Sequence, residues 1–304
     1  DQLLPAFTVV DEAQQPVGAI VDGDAVVMFN FRGDRAIELS QAFESGPEFD
    51  EFDRQRVPDV FFAGMALYDG DTNTPRSYLV GPESVDMTVS EIIAAAGIAQ
   101  WACAETQKFG HITYFWNGNR SSKFNESLET YVEIPSDLVP FNERPWMKSA
   151  ETADAAIEAV RSGEYGFIRM NLAGGDMVGH TADLAATRIA VESVDLAIGR
   201  IADAVAAASG CLLVTADHGN ADDKVERDSA GEPLMSEGGE PELRTAHSLN
   251  PVMFAVRDYG GLPVHLRDDL PDAGLANVAA TILQLLDLEV PPDYEPSLLD
   301  APTG

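Results

Sequence analysis

From about residue 86 the chain alternates short apolar runs with longer segments whose apolar residues recur at helical spacing. The spacing predicts helices at 90–96, 151–162 and 183–208. Short runs rich in apolar and β-branched residues predict strands at 98–103, 111–116, 166–172, 211–215 and 251–256. Strands that alternate with helices favour a mostly parallel sheet covered on both faces. This part of the chain is therefore predicted to have an α/β fold.

The first 80 residues follow a different pattern. A strand-like run at 25–31 leads into a segment whose apolar residues Ile37, Leu39 and Phe43 suggest a helix. A polar stretch follows, and then an apolar segment at 60–68. Asp, Gly, Asn and Pro cluster at 69–77, which indicates a turn or linker. We therefore expect two domains, at 1–80 and 81–304.

The charge of the chain excludes some partners. Lys and Arg number 19 against 51 Asp and Glu, so the formal net charge is −32. Such a charge repels nucleic acid and anionic membranes, and we expect neither as a partner. No apolar run approaches the roughly 20 residues of a membrane helix, and residues 1–15 lack the basic and apolar regions of a signal peptide. We expect a soluble cytoplasmic protein, in which local cations or metals hold any anionic substrate.

Acids and histidines cluster in loops next to three of the predicted strands. Asp176 and His180 follow the strand at 166–172, Asp217 and His218 follow the strand at 211–215, and His247 precedes the strand at 251–256. In open α/β sheets, ligands bind outside the carboxyl ends of the strands. We therefore expect these five side chains to converge.

Mixed carboxylate and imidazole ligands suit Mn²⁺, Zn²⁺ or Co²⁺ better than Ca²⁺. Five ligands exceed the three that one catalytic metal usually takes from protein. Two metals fit this number better, because together they can bind the attacking and the leaving oxygen of a phosphoryl transfer. Each acid–histidine pair alone is more often structural, but their combination favours a two-metal phosphoryl-transfer site. The other histidines, His111 at the start of the strand at 111–116 and His265 in a polar loop, are expected to be structural. Cys103 and Cys211 form no C-x-x-C pair and are expected to be buried thiols.

Three basic residues are candidates for binding an anion. Arg32 and Arg35 can project from one face of a helix start, where forked donors suit phosphate or carboxylate oxygens. The alternative is a set of surface ion pairs with Asp34 and Glu38, which composition alone favours. Lys108 could likewise be an ordinary surface lysine.

Five blocks of the sequence resemble one family when taken together and in order: FNFRGDR, ETQKFGHITYFWNGNR, NLAGGDMVGHT, LLVTADHGNA and TAHSLNP. They are similar to the signature blocks of the cofactor-independent phosphoglycerate mutases of the alkaline phosphatase superfamily. FWNGNRSSKFN, YVEIPSD and the polar loop at 222–244 look more like the plant and trypanosomatid branch. The resemblance covers essentially the whole chain. It implies an alkaline-phosphatase-like, mostly parallel sheet flanked by helices, plus the C-terminal part of a second α/β phosphotransferase domain.

The resemblance also implies roles for eight residues. They match the ligands of one metal (Asp176, His180, His247), ligands of a second metal (Asp217, His218), substrate-binding arginines (Arg32, Arg35) and a catalytic lysine that contacts the transferring phosphate (Lys108). The family interconverts 3-phosphoglycerate and 2-phosphoglycerate in glycolysis and gluconeogenesis through a phosphoserine. The resemblance implies a monomer with two divalent metal ions, Mn²⁺ first, with Zn²⁺, Co²⁺ or Mg²⁺ as alternatives, and no 2,3-bisphosphoglycerate.

Some features of the family have no counterpart in these residues, notably its early metal-binding Asp and its nucleophilic Ser. We therefore expect the sequence to be the C-terminal portion of such an enzyme and to be inactive alone. Gly33 stands where Ala is usual, and Gln107 stands where the bacterial branch has Glu; neither should abolish binding. The alternatives are another phosphomutase or a phosphatase of the superfamily, against which the FNFRGDR block argues, and an inactive metal-binding fragment.

Overall fold

The computed structural model describes residues 5, 7–70, 72–81, 85–236 and 238–300, without the side chain of Asp34. The chain divides into two compact units. The first comprises residues 1–84 with 119–121, and the second comprises residues 85–118 with 122–304. Among the described residues, none of the helices combines the length and the hydrophobicity that a membrane crossing requires.

The first unit contains a three-stranded parallel sheet. Its strands β1 (Ala25–Met28), β2 (Phe61–Ala66) and β3 (Tyr78–Val80) lie in that order. Helix α1 (Gly33–Glu44) connects β1 to β2, as the sequence predicted. The ring of Phe43 on α1 stacks on that of Phe62 on β2, with 4.9 Å between ring centroids. This contact packs the apolar side of α1 against the sheet.

Local hydrogen bonds define both ends of α1. The helix begins after Arg32, whose backbone N–H donates to Asn30 Oδ1 at 3.0 Å. At the other end, the guanidinium of Arg54 donates to three carbonyls at 2.7–3.1 Å, those of Ala42, Ser45 and Gly46. The last carbonyls of a helix lack intrahelical partners and carry partial negative charge. The guanidinium of Arg54 supplies both hydrogen-bond donors and positive charge to these carbonyls, so Arg54 caps the C-terminal end of α1.

The second unit is built around a buried parallel sheet. Its central strand β4 (Gln100–Glu105) pairs with β5 (Glu129–Ile134) on one side and with β6 (Phe167–Asn171) on the other. All six residues of β4 are buried. Because side chains alternate along a strand, β4 contributes to two clusters. Trp101 and Cys103 pack with helices α4 (Ser149–Ser162) and α6 (Leu184–Ala207), while Ala102 and Ala104 pack with Ile112 of α3 (Thr106–Ile112).

A third cluster joins helices α2 (Val89–Ala95) and α7 (Val278–Leu285) through Ile93 and Leu283. Phe167 of β6 packs against this cluster. Helices therefore cover the sheet, and the predicted α/β fold with mostly parallel strands flanked by helices is confirmed.

One predicted strand is wrong, and another differs in its bounds. The segment at 111–116 is not a strand, because residues 106–112 form α3 and residues 113–116 form a turn. Thr113 Oγ1 donates to the carbonyl of Phe109 at 2.7 Å and so satisfies a carbonyl in the last turn of α3. The strand expected at 251–256 is β8 (Phe254–Asp258), which pairs antiparallel with β7 (Cys211–Thr215) in a separate two-stranded sheet.

Candidate metal centre

The secondary structure explains how three distant loops meet. Asp176 lies in the single-turn helix α5 (Gly174–Met177), which follows the carboxyl end of β6, and His180 lies in the 3₁₀ turn that comes next. In the antiparallel pair β7–β8, Thr215 lies opposite Phe254. The residues leaving β7 therefore lie beside those entering β8. This antiparallel pairing brings His247 towards the site on the loop that precedes β8.

Asp176, His180 and His247 place three ligand atoms in a nearly equilateral triangle. Asp176 Oδ1 lies 3.0 Å from His180 Nε2 and 3.1 Å from His247 Nε2, and the two Nε2 atoms are 3.2 Å apart. Ligand atoms bonded at roughly 2.0–2.2 Å to one tetrahedral or octahedral cation are about 2.8–3.6 Å apart. The triangle therefore fits one divalent cation, and its carboxylate and imidazole donors suit Mn²⁺, Zn²⁺ or Co²⁺.

Both histidines of the triangle have surroundings that favour ligation. His180 Nδ1 lies 2.5 Å from the carbonyl oxygen of Thr245. A carbonyl can only accept, so Nδ1 carries the hydrogen and the lone pair of Nε2 points to the triangle. Burial lowers the pKa of His247, and the nearby imidazole of His218 lowers it further. A low pKa keeps His247 neutral, which is the form that binds a metal.

Asp217 and His218 lie beside the triangle. The His218 ring stacks on that of His247, with centroids 3.7 Å apart and planes 20° apart. Asp217 Oδ2 lies 3.5 Å from His218 Nε2, and the Asp217 side chain is 52% exposed. The structure thus gathers all five predicted ligands, with Asp217 and His218 at the more open side.

Lys108 is a buried partner of the triangle. Its residue is 5% exposed, and Nζ donates to Asp176 Oδ2 in an ion pair. Burial alone raises the pKa of Asp176, but the hydrogen bond and charge of Lys108 outweigh it, aided by Asn220 and His180. The pKa of Asp176 therefore lies well below its usual range, and the group is a carboxylate. The alternative of a surface lysine is wrong, because Lys108 is enclosed.

Sequence reasoning missed two further residues, Asn220 and Lys224, which are 4% and 6% exposed. Asn220 Nδ2 donates to Asp176 Oδ1 at 2.8 Å, and Lys224 Nζ donates to Asn220 Oδ1 at 3.0 Å. Their signal in the sequence is the block HGNADDK, in which a lysine within an acidic run stands four residues after the asparagine. That spacing alone does not show burial.

A second set of contacts ties the two histidine-bearing loops together. Ser248 Oγ donates to both carboxylate oxygens of Asp222, at 2.8 and 3.0 Å, and Ser248 N donates to the carbonyl of Gly219 at 3.0 Å. A Cβ on Gly219 would lie 2.1 Å from Ser248 Oγ, so only glycine allows this approach. These bonds hold the segment after His218 against the segment after His247.

The two candidate arginines belong to the first unit. Arg32 immediately precedes α1 and Arg35 lies in its first turn, which agrees with the predicted helix start. The Arg35 guanidinium lies 3.7 Å from Glu38, and both side chains are about 70% exposed (71% and 69%). Exposed ion pairs of this kind contribute little to stability. The Arg35 guanidinium can therefore leave Glu38 and bind a ligand at little cost. The expected contact with Asp34 lies outside the described side chains.

Comparison with known proteins shows to which family the chain belongs. The metalloenzyme superfamily model matches residues 18–290, which is most of the chain, and the chain belongs to this superfamily. It is 51% identical over 301 residues to the 2,3-bisphosphoglycerate-independent phosphoglycerate mutase of Trypanosoma brucei brucei, and 48% identical over 303 residues to that of Ricinus communis. Each alignment covers 99% of this chain and 54% of the relative.

A solved structure agrees with these relatives. Crystal structures of Leishmania mexicana phosphoglycerate mutase at low cobalt concentration include a chain that matches with a TM-score of 0.93 and 51% identity. The match covers 96% of this chain and 53% of that one. The chain spans about half the length of the relatives it matches. The resemblance to plant and trypanosomatid mutases is confirmed.

Proposed function

We propose that the protein to which this chain belongs interconverts 3-phosphoglycerate and 2-phosphoglycerate, with two divalent cations and without 2,3-bisphosphoglycerate. The observation that carries the proposal is the triangle of Asp176, His180 and His247, found in a chain about half identical to such mutases. Phosphoryl transfer depends on positioning and on neutralising charge at the phosphate oxygens. In a chain of net charge −32, that neutralisation must come from local groups.

In this proposal the five metal ligands divide into two groups. The triangle holds one cation, and Asp217 and His218 contribute to a second. The bound cations supply positive charge to the phosphate oxygens. We propose Mn²⁺ as the metal, because carboxylate and imidazole ligands together suit it, and Zn²⁺, Co²⁺ and Mg²⁺ are the alternatives to be compared.

Lys108, Arg32 and Arg35 contact the substrate in this proposal. An ammonium has three donors, and one donor of Lys108 is directed to Asp176, which fixes the position of the charge. We assign another of its donors to the transferring phosphate. The two arginines offer forked donors that match a phosphate or carboxylate, and phosphoglycerate carries one group of each kind.

Metal binding tests the ligand assignment on this chain. Mn²⁺ is titrated calorimetrically into the wild type and into the His247→Ala variant, with His265→Ala as a control because His265 is an exposed histidine elsewhere in the chain. We expect loss of one site in His247→Ala, since a ligand of the triangle is removed, and no change in His265→Ala. Equal Mn²⁺ affinity in the wild type and His247→Ala would show that the assignment is wrong.

Activity is tested on the complete protein that contains this sequence. With Mn²⁺ and without 2,3-bisphosphoglycerate, 2-phosphoglycerate formed from 3-phosphoglycerate is detected by coupling to its dehydration. Lys108→Met and Arg35→Met should both lower turnover. Release of free phosphate would instead indicate a phosphatase, and preference for phosphopentoses would indicate another phosphomutase.

We further propose that the protein is monomeric and cytoplasmic. A net charge of −32 favours mutual repulsion of copies and opposes binding to anionic surfaces. Light scattering after size-exclusion chromatography checks the oligomeric state, and a stable dimer would contradict this part of the proposal.

A further inference from the structure

We infer that Asn220 and Lys224 are positioning residues of the metal centre: Lys224 orients the amide of Asn220, and that amide orients the carboxylate of Asp176. The inference rests on the proposed function, because it assumes that Asp176 binds a cation. Neither residue belongs to the predicted ligand set, and neither contributes an atom to the triangle.

Lys224 determines which way the Asn220 side chain points. Its Nζ lies 3.0 Å from Asn220 Oδ1. An ammonium can only donate, so the amide atom that faces it must be the oxygen. The NH₂ group is thereby directed to Asp176, where it lies 2.8 Å from Oδ1 and 3.2 Å from the backbone carbonyl. One amide therefore holds both the side chain and the main chain of Asp176.

The contacts of Asp176 are divided between its two oxygens. Oδ2 accepts from Lys108, whereas Oδ1 accepts from Asn220 and faces both histidine Nε2 atoms of the triangle. A hydrogen bond to Lys108 alone would leave the carboxylate free to rotate about the bond that joins it to Cβ. The amide of Asn220 opposes that rotation and keeps Oδ1 in the triangle. Because a carboxylate oxygen has two lone pairs, Oδ1 can accept this bond and still ligate a cation.

Lys224 also supports the histidine side of the triangle. Its Nζ donates to the carbonyl of Gly179 at 2.6 Å, and Gly179 is the residue before His180. The carbonyl of Lys224 accepts from the backbone N–H of Arg244 at 3.0 Å. That bond holds Arg244 in place, and Arg244 directly precedes Thr245, whose carbonyl accepts from His180 Nδ1.

Burial of the Lys224 ammonium costs free energy of folding. Lys224 is 6% exposed, and burial lowers the pKa of its ammonium, as does the nearby charge of Arg244. Its Nζ donates to two neutral oxygens, which compensate a buried charge less well than a hydrogen-bonded carboxylate does, although the charges of Asp176, Asp222 and Asp223 nearby offset part of the cost. An exposed lysine would avoid this cost. The hydrogen bonds that burial allows, above all the one to Asn220 Oδ1, are what Lys224 provides in return.

Gly179 allows a test that removes no hydrogen-bonding group. A Cβ at Gly179 would lie 2.3 Å from Asn220 Oδ1 and 2.7 Å from its amide carbon. Gly179→Ala must therefore displace the amide. If the amide positions Asp176, this variant should reproduce the effect of Asn220→Ala.

The experiment titrates Co²⁺ into the purified chain and follows its visible absorption, which reports both affinity and ligand geometry. Asn220→Ala, Lys224→Met and Gly179→Ala are compared with the wild type. Asn277→Ala is the matched control, because Asn277 is also 4% exposed and its amide bridges Gly274 N–H (2.8 Å) and the carbonyl of Pro296 (2.7 Å), outside the metal centre. We expect about 10–100-fold weaker Co²⁺ binding and an altered spectrum in the three test variants. Asn277→Ala should lower thermal stability and leave Co²⁺ affinity unchanged.

The outcomes separate this inference from the proposed function. If Asn220→Ala and Gly179→Ala bind Co²⁺ with wild-type affinity and spectrum, the inference is overturned. If instead the wild type binds no Co²⁺, or if His247→Ala binds it equally well, the metal site itself is refuted. Circular dichroism of the metal-free variants checks folding, and if Lys224→Met fails to fold, the other two variants decide.

Discussion

Breaking the buried ion pair between Lys108 and Asp176 by removing one partner should strongly destabilise the metal-free second unit. The perturbation is Lys108→Met, which keeps most of the side-chain volume and removes the ammonium. In the variant, Asp176 remains enclosed beside the two histidines of the triangle but loses the charge that holds its pKa low.

The expected cost follows from burial. The side chains of Lys108 and Asp176 are only 6% and 15% exposed, so water screens neither charge well. Removing one partner of a buried pair costs about 3–5 kcal/mol because the other charge loses its compensation. With a urea m-value of about 2–3 kcal/mol/M, the unfolding midpoint should fall by about 1–2.5 M.

Tryptophan fluorescence is a suitable assay, because the three tryptophans of the chain, Trp101, Trp116 and Trp146, all belong to the second unit. Urea unfolding in the presence of EDTA therefore reports this unit without bound metal. A double-mutant cycle adds Asp176→Asn and the double variant. Since the double variant leaves no buried charge of this pair, its cost should be lower than the sum of the single costs by about 2 kcal/mol or more.

Lys148→Met is the control for loss of a lysine. Lys148 pairs with Asp137 at 2.8 Å, but Asp137 keeps a second partner, Arg144, also at 2.8 Å. We therefore expect a cost below about 1 kcal/mol. A Lys108→Met variant as stable as Lys148→Met, or a cycle in which the costs simply add, would refute the reasoning.

Three further outcomes are expected. Burial raises the pKa of Cys103 to about 12 from 9.0. As pH rises, the thiol of the unfolded chain ionises first, so the contribution of Cys103 to the free energy of unfolding is fully present below pH 9 and is lost above it. Between pH 9 and about pH 11 the free energy of unfolding of Cys103→Ala, measured in urea, should therefore fall by about 2–3 kcal/mol less than that of the wild type. Equal losses would contradict the shift. Arg54→Met should speed hydrogen exchange in the last turn of α1 by about 10–100-fold, since the carbonyls lose a charged donor worth roughly 1.5–3 kcal/mol. Unchanged exchange would argue against the cap. Mn²⁺ at about 100 times its dissociation constant should stabilise the second unit by about 2.7 kcal/mol, and an unchanged fluorescence transition in urea would exclude a site specific to the folded state.

The order of most elements and the set of candidate ligand residues are readable from the sequence. Helix α6 follows from the helical spacing of its apolar residues, and strands β4, β6 and β7 follow from short runs rich in apolar residues. The acids and histidines of the site also stand out, because metal ligands are few in kind and lie in loops beside strands. These features depend on neighbours along the chain.

Other features depend on residues far apart in sequence, and only the tertiary structure decides them. The run at 111–116 has a strand-like pattern, yet residues 106–112 are the helix α3 because it packs Ile112 against β4. Lys108 is buried because Asp176, 68 residues later, receives its charge, and Asn220 reaches Asp176 across 44 residues. A sequence pattern shows which side chains are polar, but whether a charge can be buried depends on the partner that folding brings to it.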